Sequence, residues 1–404
     1  MPNPVSPIPI EFIIFAATLL GVAISHKRAL TVALVGLMLT LAYKLAFTGF
    51  PGGPGLHGLL EHAAHEWVTL VNLMLLLVGF AILARHFEAS NLPHAIPRYL
   101  PRGWLGGLTL LAMVFCLSAF LDNIASAVIG GVVAQHVYKG KVSVGFLASI
   151  VAAANAGGAG SVIGDTTTTM MWLGGVSPVQ VLPAFIAGAA AFGIFGIFGA
   201  LAQHRYAPVE HHEGVDFEID WISVAVVGAV LATLVSANAA SNLLFPGLEE
   251  ALPVLGIAIW IALLLGLVAR RPDWSVAPEA AKGGLFLVTL VAIASLMPVE
   301  RLPHPSWEVE FGLGLLSAVF DNIPLTALAL EQNGHDWALL AYAVGFGGSI
   351  IWFGSSAGVA LTGIFPEGRS VLQWLRGSWH VPLAYVVGFA TLLLVRGWTP
   401  STIP

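Results

Sequence analysis

The chain has 404 residues, of which 57% are hydrophobic and only 9% charged, against about 25% charged in ordinary soluble domains. Apolar stretches recur along its whole length, which excludes a soluble globular protein and predicts an all-α polytopic membrane protein; a transmembrane barrel would show short alternating segments instead. The net charge of −6 does not set orientation, which follows from where Lys and Arg fall. The single cysteine, Cys116, excludes an intramolecular disulfide.

Apolar spans are expected near 8–24, 29–49 and 67–85. The first ten residues lack a basic leader, so the first stretch reads as a retained span rather than a cleaved signal. Residues 50–66 read as a Gly/Pro-rich loop carrying Glu61 and Glu66. Residues 86–102, with Arg98, Arg102 and three prolines, suit a helix at the membrane interface. Two short apolar arms follow, 104–120 and 124–136, with Asp122-Asn123 between them. Neither arm spans comfortably alone, since a spanning helix needs ~20 residues. The spacing predicts a re-entrant hairpin over 104–136 with its tip at Asp122-Asn123. Residues 143–174 are too long for one simple span and read as a helix broken at Gly164–Thr169; a further span covers 179–202.

A polar stretch, 203–219, reads as a cytoplasmic linker between residues 1–202 and 220–404. The second half repeats the order: spans near 220–241, 251–270 and 282–297, a hairpin over 309–331, a broken span over 337–364 and a last span over 378–396. The motifs repeat as well. Ser118-Ala-x-x-Asp122-Asn123-Ile124 returns as Ser317-Ala-x-x-Asp321-Asn322-Ile323, and Gly157-Gly158 with Gly164 returns as Gly347-Gly348 with Gly354. Paired Gly-interrupted segments in two halves point to a transporter binding site. A hairpin begins and ends on one side, so each half crosses five times and the two repeats must be inverted. With the N- and C-termini outside, the inner loops hold Lys27, Arg28, Arg85, Arg98, Arg102, Lys139, Lys141, Arg205, Arg270, Arg271, Lys282, Arg369 and Arg376, or 13 of the 16 basic residues. That asymmetry fits a multi-pass protein of the cell (inner) membrane. Lipid is the expected surrounding, and no nucleic-acid partner or cofactor is expected.

Asp122, Asp165 and Asp321 lie in apolar runs with no basic residue in the same span. Charges at membrane depth mark ion or proton paths, whereas a lone Asn or Ser in a span more often bonds a neighbouring helix. Hard monovalent cations want oxygen: carboxylates, amides, hydroxyls and carbonyls freed at a helix break. One cation- and proton-binding site would combine Asp122, Asn123 and Asn155 with Gly164, Asp165, Thr166 and Thr167; a second would combine Asp321 and Asn322 with Gly354, Ser355 and Ser356. Sodium ligation is expected at Asp122, Asn123, Asp165, Thr166, Asp321 and Asn322. Only the first break carries an aspartate, so it is the stronger place for a cation to compete with a proton. His62-x-x-His65-Glu66 has ligand spacing on a helix but not the order of zinc proteases, and reads as outer loop. His211-His212-Glu213 reads as solvated linker, and Glu308, Glu310 and Glu331 as interfacial. An intramembrane aspartyl protease is disfavoured, since Ile163 precedes Gly164-Asp165 where its Gly-x-Gly-Asp signature would stand. The chain reads as a transporter and not an enzyme.

At these residues the chain resembles the NhaD-type sodium/proton antiporters, within a wider superfamily that includes sodium-coupled dicarboxylate symporters. The motifs that carry the resemblance are Leu121-Asp122-Asn123, Asn155-Ala-Gly-Gly, Ile163-Gly-Asp-Thr-Thr-Thr-Thr-Met-Met-Trp, Val319-Phe-Asp-Asn-Ile-Pro-Leu and Gly347-Gly-Ser with Gly354-Ser-Ser-Ala-Gly-Val. The position of Thr166 is commonly Val in that family, so Thr166 adds an oxygen. The resemblance implies exchange of Na+ (or Li+) for H+, a homodimer and an elevator-type movement. The alternative is a sodium-coupled carboxylate symporter of the citrate or dicarboxylate kind. Its members carry Ser-Asn-Thr at the hairpin tips, whereas Asp-Asn here puts negative charge where an anion would sit.

Overall fold

The computed structural model describes residues 8–25, 28–50, 53–92, 100–208, 218–244, 248–266 and 268–403. Among them the protein is all-helical, with no β-strand. In chain order the helices are α1 (Ile10–Ile24), α2 (Ala29–Tyr43, continued as a π-helix over Lys44–Thr48), α3 (Gly55–Ala89), α4 (Trp104–Ser118), α5 (Asn123–Val137), α6 (Val144–Gly158), α7 (Thr166–Leu173), α8 (Pro178–Val181) and α9 (Ala184–Tyr206). They continue as α10 (Trp221–Leu244), α11 (Leu248–Ala251), α12 (Val254–Gly266), α13 (Ala277–Ala294), α14 (Trp307–Ser317), α15 (Asn322–Gln332), α16 (Trp337–Gly347), α17 (Ser356–Ile364), α18 (Val371–Gly377) and α19 (His380–Arg396).

By length and composition alone, 4 helices among the described residues can cross a membrane: Ala29–Thr48, Gly55–Ala89, Pro178–Tyr206 and Trp274–Ala294. The bent pair Val371–Gly377 and His380–Arg396 makes a fifth. Shorter apolar helices, including α1, α4, α5, α6, α12 and α16, make up much of the rest. Two breaks account for part of this shortness. One separates α6 from α7 and the other separates α16 from α17, so neither apolar stretch is a single rod.

Four expectations change. Residues 55–66 are the start of α3, not loop: Pro54 stands just before the helix, and the Leu, Ala, His and Glu that follow are compatible with it. Thr166–Thr169 are helical, so the first break lies over 159–165 rather than 164–169. The hydroxyls of Thr168 and Thr169 donate to the carbonyls of Ser161, Val162 and Asp165, closing backbone acceptors at the break. Gln203 belongs to α9 and is fully buried, accepting from Ser143 N and donating to Lys141 O. Glu310 is fully buried rather than interfacial, and its Oε1 accepts from His335 and from the Asp336 backbone. Part of the expected interfacial helix (93–99), part of the linker (209–217, with His211-His212-Glu213) and Lys27 lie outside the described residues.

The helices pack as two groups. α1, α2, α3, α10, α12 and α13 contact one another; α4–α7, α9 and α14–α19 form the other body. Polar contacts gather the helix ends consistently. Arg85 bonds Asp273, and Arg270 bonds Asp220, joining the C-terminus of α3, the N-terminus of α10 and the loop before α13. The Arg270 guanidinium holds the exposed Asp220 carboxyl well below the usual range. Lys44 Nζ donates to Leu296 O and His62 Nε2 meets Ser295 Oγ, joining α2, α3 and the C-terminus of α13. Of these residues, Arg85 and Arg270 are expected in inner loops and His62 in an outer loop.

The small residues of the breaks are set by contact. A Cβ on Gly157 would overlap the Phe115 carbonyl of α4, and a Cβ on Gly347 would overlap the Gly314 carbonyl of α14. Beside them Ser118 Oγ donates to Ala154 O and Ser317 Oγ donates to Val344 O. Each pair locks a helix of one expected hairpin to its neighbouring broken helix. Gly157→Ala and Gly347→Ala should each lower stability by at least ~2 kcal/mol, because fixed backbone must move. Gly363→Ala, with nothing within 4 Å of the added carbon, should be neutral. Thermal unfolding in detergent checks this; equal melting of all three variants would contradict it.

Candidate ion site

Four helices begin at one place: α5, α7, α15 and α17. Each has an acceptor at its N-cap. Asp122 accepts from Ile124 N at 3.2 Å, Asp165 from Thr167 N at 3.3 Å, Asp321 from Ile323 N at 3.2 Å and Ser355 from Gly358 N at 3.4 Å. The positive ends of these helices favour ionised carboxylates. The C-termini of α4, α6, α14 and α16 end nearby and supply the opposite, carbonyl-rich polarity.

Asp165 is the centre. It is 1% exposed, and its Oδ1 accepts from Asn123 Nδ2 at 3.1 Å and from Asn322 Nδ2 at 3.4 Å. Its Oδ2 is buried with no hydrogen-bond partner. Asn322 Nδ2 also donates to Thr167 Oγ1 at 2.7 Å. Asn123 Nδ2 also donates to Asn155 Oδ1 at 3.0 Å, and Asn155 Nδ2 in turn donates to Ser349 Oγ at 2.9 Å and Ser355 Oγ at 3.2 Å. Ser356 Oγ donates to Asp321 Oδ2 at 3.2 Å. Among the described residues none of Asp122, Asp165 and Asp321 is ion-paired. The His62-His65-Glu66 trio gains no support: among the described residues no group of three or more His, Cys, Asp or Glu could hold a metal.

The two sites expected separately are therefore one network. Asn322 of the second half reaches Asp165 in the first break, and Asn155 of the first half reaches Ser355 beside the second. Ser349 belongs to this network and was not among the expected site residues, although it stands in the Gly347-Gly-Ser motif. The signal was its place directly after Gly347-Gly348, where the first half has Ala159. Gly164 and Gly354 serve the backbone: added carbons there would meet the carbonyls of Ser118 and Ala318.

A cavity of about 600 Å³ leads to this network. Asp122, Asn123, Asp165, Thr166, Asn322 and Ser356 line one part of it, and Leu76, Phe80, Ala280 and Leu287 line its apolar wall. It also reaches Arg85, about 13 Å along α3 from Leu76 at 1.5 Å per residue, and beyond it Glu88 and, on α13, Glu279. The cavity thus lies between the two groups of helices, with α3 and α13 on one side and the helix N-termini on the other. Thr167, Asn155, Asp321, Gly354 and Ser355 are not on its wall.

No family model matches the chain. It is 27% identical over 399 residues to a protein named Na(+)/H(+) antiporter NhaD from Vibrio cholerae, covering 83% of this chain and 80% of that one. It is 28% identical over 366 residues to the protein of the same name from Vibrio parahaemolyticus, covering 75% and 84%. It is also 28% identical over 305 residues to sodium/proton antiporter 1 of Arabidopsis thaliana, covering 62% of this chain and only 49% of that protein. Similarity of this reach, to bacterial and plant proteins alike, supports a place for the chain in the NhaD-type family of sodium/proton antiporters.

Proposed function

We propose that the protein exchanges Na+ or Li+ for H+ across the membrane, with Asp165 as the carboxylate that takes one or the other. The observation that carries this reading is the Asp165 side chain: buried, without a cationic partner, held by two carboxamides through one oxygen and with the other oxygen unpartnered. A buried charge of that kind is tolerated when a cation or a proton neutralises it. Asp122, Asn123, Thr166, Thr167 and Asn322 supply further oxygens, and Asp321 with Ser356 forms a neighbouring polar pair. The second reading, a sodium-coupled carboxylate symporter, meets an obstacle. The helix N-termini that would bind a substrate carboxylate are already capped by the chain's own acceptors, three of them aspartates.

In this reading the two halves are inverted repeats of five crossings each. The hairpins α4–α5 and α14–α15 enter from opposite sides, and their tips meet near the midplane. The body that carries the site moves as an elevator against α1–α3 and α10–α13, and the cavity between the two groups is its present opening. The protein works as a homodimer in the inner membrane with both termini outside. Purified protein in liposomes with an internal pH dye tests the exchange. Added Na+ or Li+ should make the lumen alkaline, and K+ or citrate should not. Silence toward Na+ and Li+ would sink the antiport reading, and citrate-dependent Na+ uptake would favour the symporter. Mass measurement in mild detergent should give a dimer; a monomer at every concentration would remove that element.

A further inference from the structure

The two broken helices match at a constant offset of 190 residues: Asn155 with Gly345, Gly158 with Gly348, Ala159 with Ser349, Asp165 with Ser355. The structure uses the matched pairs in opposite ways. At the second break the N-cap is Ser355, and Asn155 fills the space beside it, donating to both Ser355 and Ser349. At the first break the N-cap is Asp165, and the residue matched to Asn155 is Gly345. A Cβ on Gly345 would lie 2.9 Å from Asp165 Oδ2 and 3.9 Å from Ala159 Cβ, and apart from its own stretch of helix nothing else comes within 4 Å. Where the second break has an amide and a hydroxyl, the first has a hydrogen atom and a methyl. The oxygen facing that gap, Asp165 Oδ2, is the one that is buried without a partner.

We infer that Gly345 is a specificity-determining residue: its missing side chain reserves the space beside Asp165 Oδ2 for the transported cation or proton, and the size of that space sets which ion fits. Asn155 and Ser349 make the second break a self-satisfied neutral joint; Gly345 and Ala159 leave the first break with an acceptor that only a cation or a proton can satisfy. The inference rests on the reading of Asp165 as the exchange site and goes beyond it, because it assigns ion preference to a residue with no polar side chain.

Three variants test it. Gly345→Ala adds one carbon whose close contact is the end of a side chain, so the fold should persist. Its apparent Na+ affinity should fall at least ~10-fold and its Li+ affinity less, so that the Li+ to Na+ preference rises, because Li+ is the smaller ion. Gly345→Asn puts at the first break the amide that Asn155 supplies at the second; it should donate to Oδ2 and abolish exchange. Ala159→Ser narrows the same gap from the other wall and should move the Li+ to Na+ preference in the same direction, by less. Half-saturating Na+ and Li+ concentrations are read in proteoliposomes at several pH values, with thermal unfolding to confirm folding. A merely structural role for Gly345 would alter folded yield or rate without altering the ion ratio or the pH profile. Folded Gly345→Ala and Ala159→Ser proteins with the wild-type ratio and pH profile would overturn the assignment while leaving the antiport reading intact. The same holds for a Gly345→Asn protein that exchanges normally. A wild-type protein that moves neither ion would remove both.

Discussion

Asp165→Asn should abolish sodium-driven proton release, or lower it at least ~10-fold, because losing a charged ligand in a buried site costs more than ~1.4 kcal/mol. The substitution keeps the shape. An amide oxygen in the place of Oδ1 can still accept from Asn123, Asn322 and the Thr167 backbone. The new NH2 takes the place of Oδ2, an atom without a partner. What disappears is the charge and the ability to take a proton. Ser355→Ala, at the matched position, removes a neutral oxygen that accepts from Asn155 and caps α17. That is a cap loss of ~1 kcal/mol, and it should slow exchange less. Transport assays on both variants, with melting curves to confirm folding, decide the matter. An Asp165→Asn protein working at the wild-type rate with an unchanged pH profile would move the exchange to Asp122 or Asp321, the half-buried carboxylates at the starts of α5 and α15.

The parts of this protein that could be read in advance are those where local chemistry leaves one choice. Asp122-Asn123 and Asp321-Asn322 between short apolar arms could only end one helix and begin another, and α5 and α15 do begin at Asn123 and Asn322. The repeated glycine pairs marked the two interrupted segments, and Gly157-Gly158 and Gly347-Gly348 do stand where α6 and α16 end. What could not be read depends on three-dimensional partners. The threonine run looked like part of the break because hydroxyl residues compete for backbone bonds and interrupt a helix easily; three-centre bonding of Thr168 and Thr169 to carbonyls at the break instead fastens the helix there. Glu310 looked interfacial because a carboxylate near a span end usually faces water. Its burial follows from His335 and the Asp336 backbone, 25 and 26 residues away. The linking of the two expected sites through Asn155 and Asn322 was invisible for the same reason, since its bonds join residues more than 150 positions apart.

Sodium affinity should itself depend on pH, with a slope that reports the competition. If one carboxylate holds either Na+ or H+, acidification must displace the cation, since a ligand group has to be deprotonated to bind. The sign follows directly. Above the titration of Asp165 in the ion-free protein the carboxylate is already ionised, and the half-saturating Na+ concentration should be flat. Below it, each pH unit multiplies the proton occupancy, and that concentration should rise ~10-fold per unit. Joint displacement of a second proton, from Asp122 on the same cavity wall, would steepen the rise toward ~100-fold per unit over the range where both are protonated. A pH switch elsewhere in the protein, which changes the rate of the moving body and not the ion's competitor, would alter maximal exchange and leave half-saturation level. The measurement is therefore the half-saturating Na+ concentration at closely spaced pH values, with the lumen and bath clamped to the same pH before each addition. A level half-saturation across the range in which exchange turns on would exclude competition at a shared carboxylate. In that case the unpartnered Oδ2 of Asp165 would have to be satisfied by a proton that never leaves during the cycle.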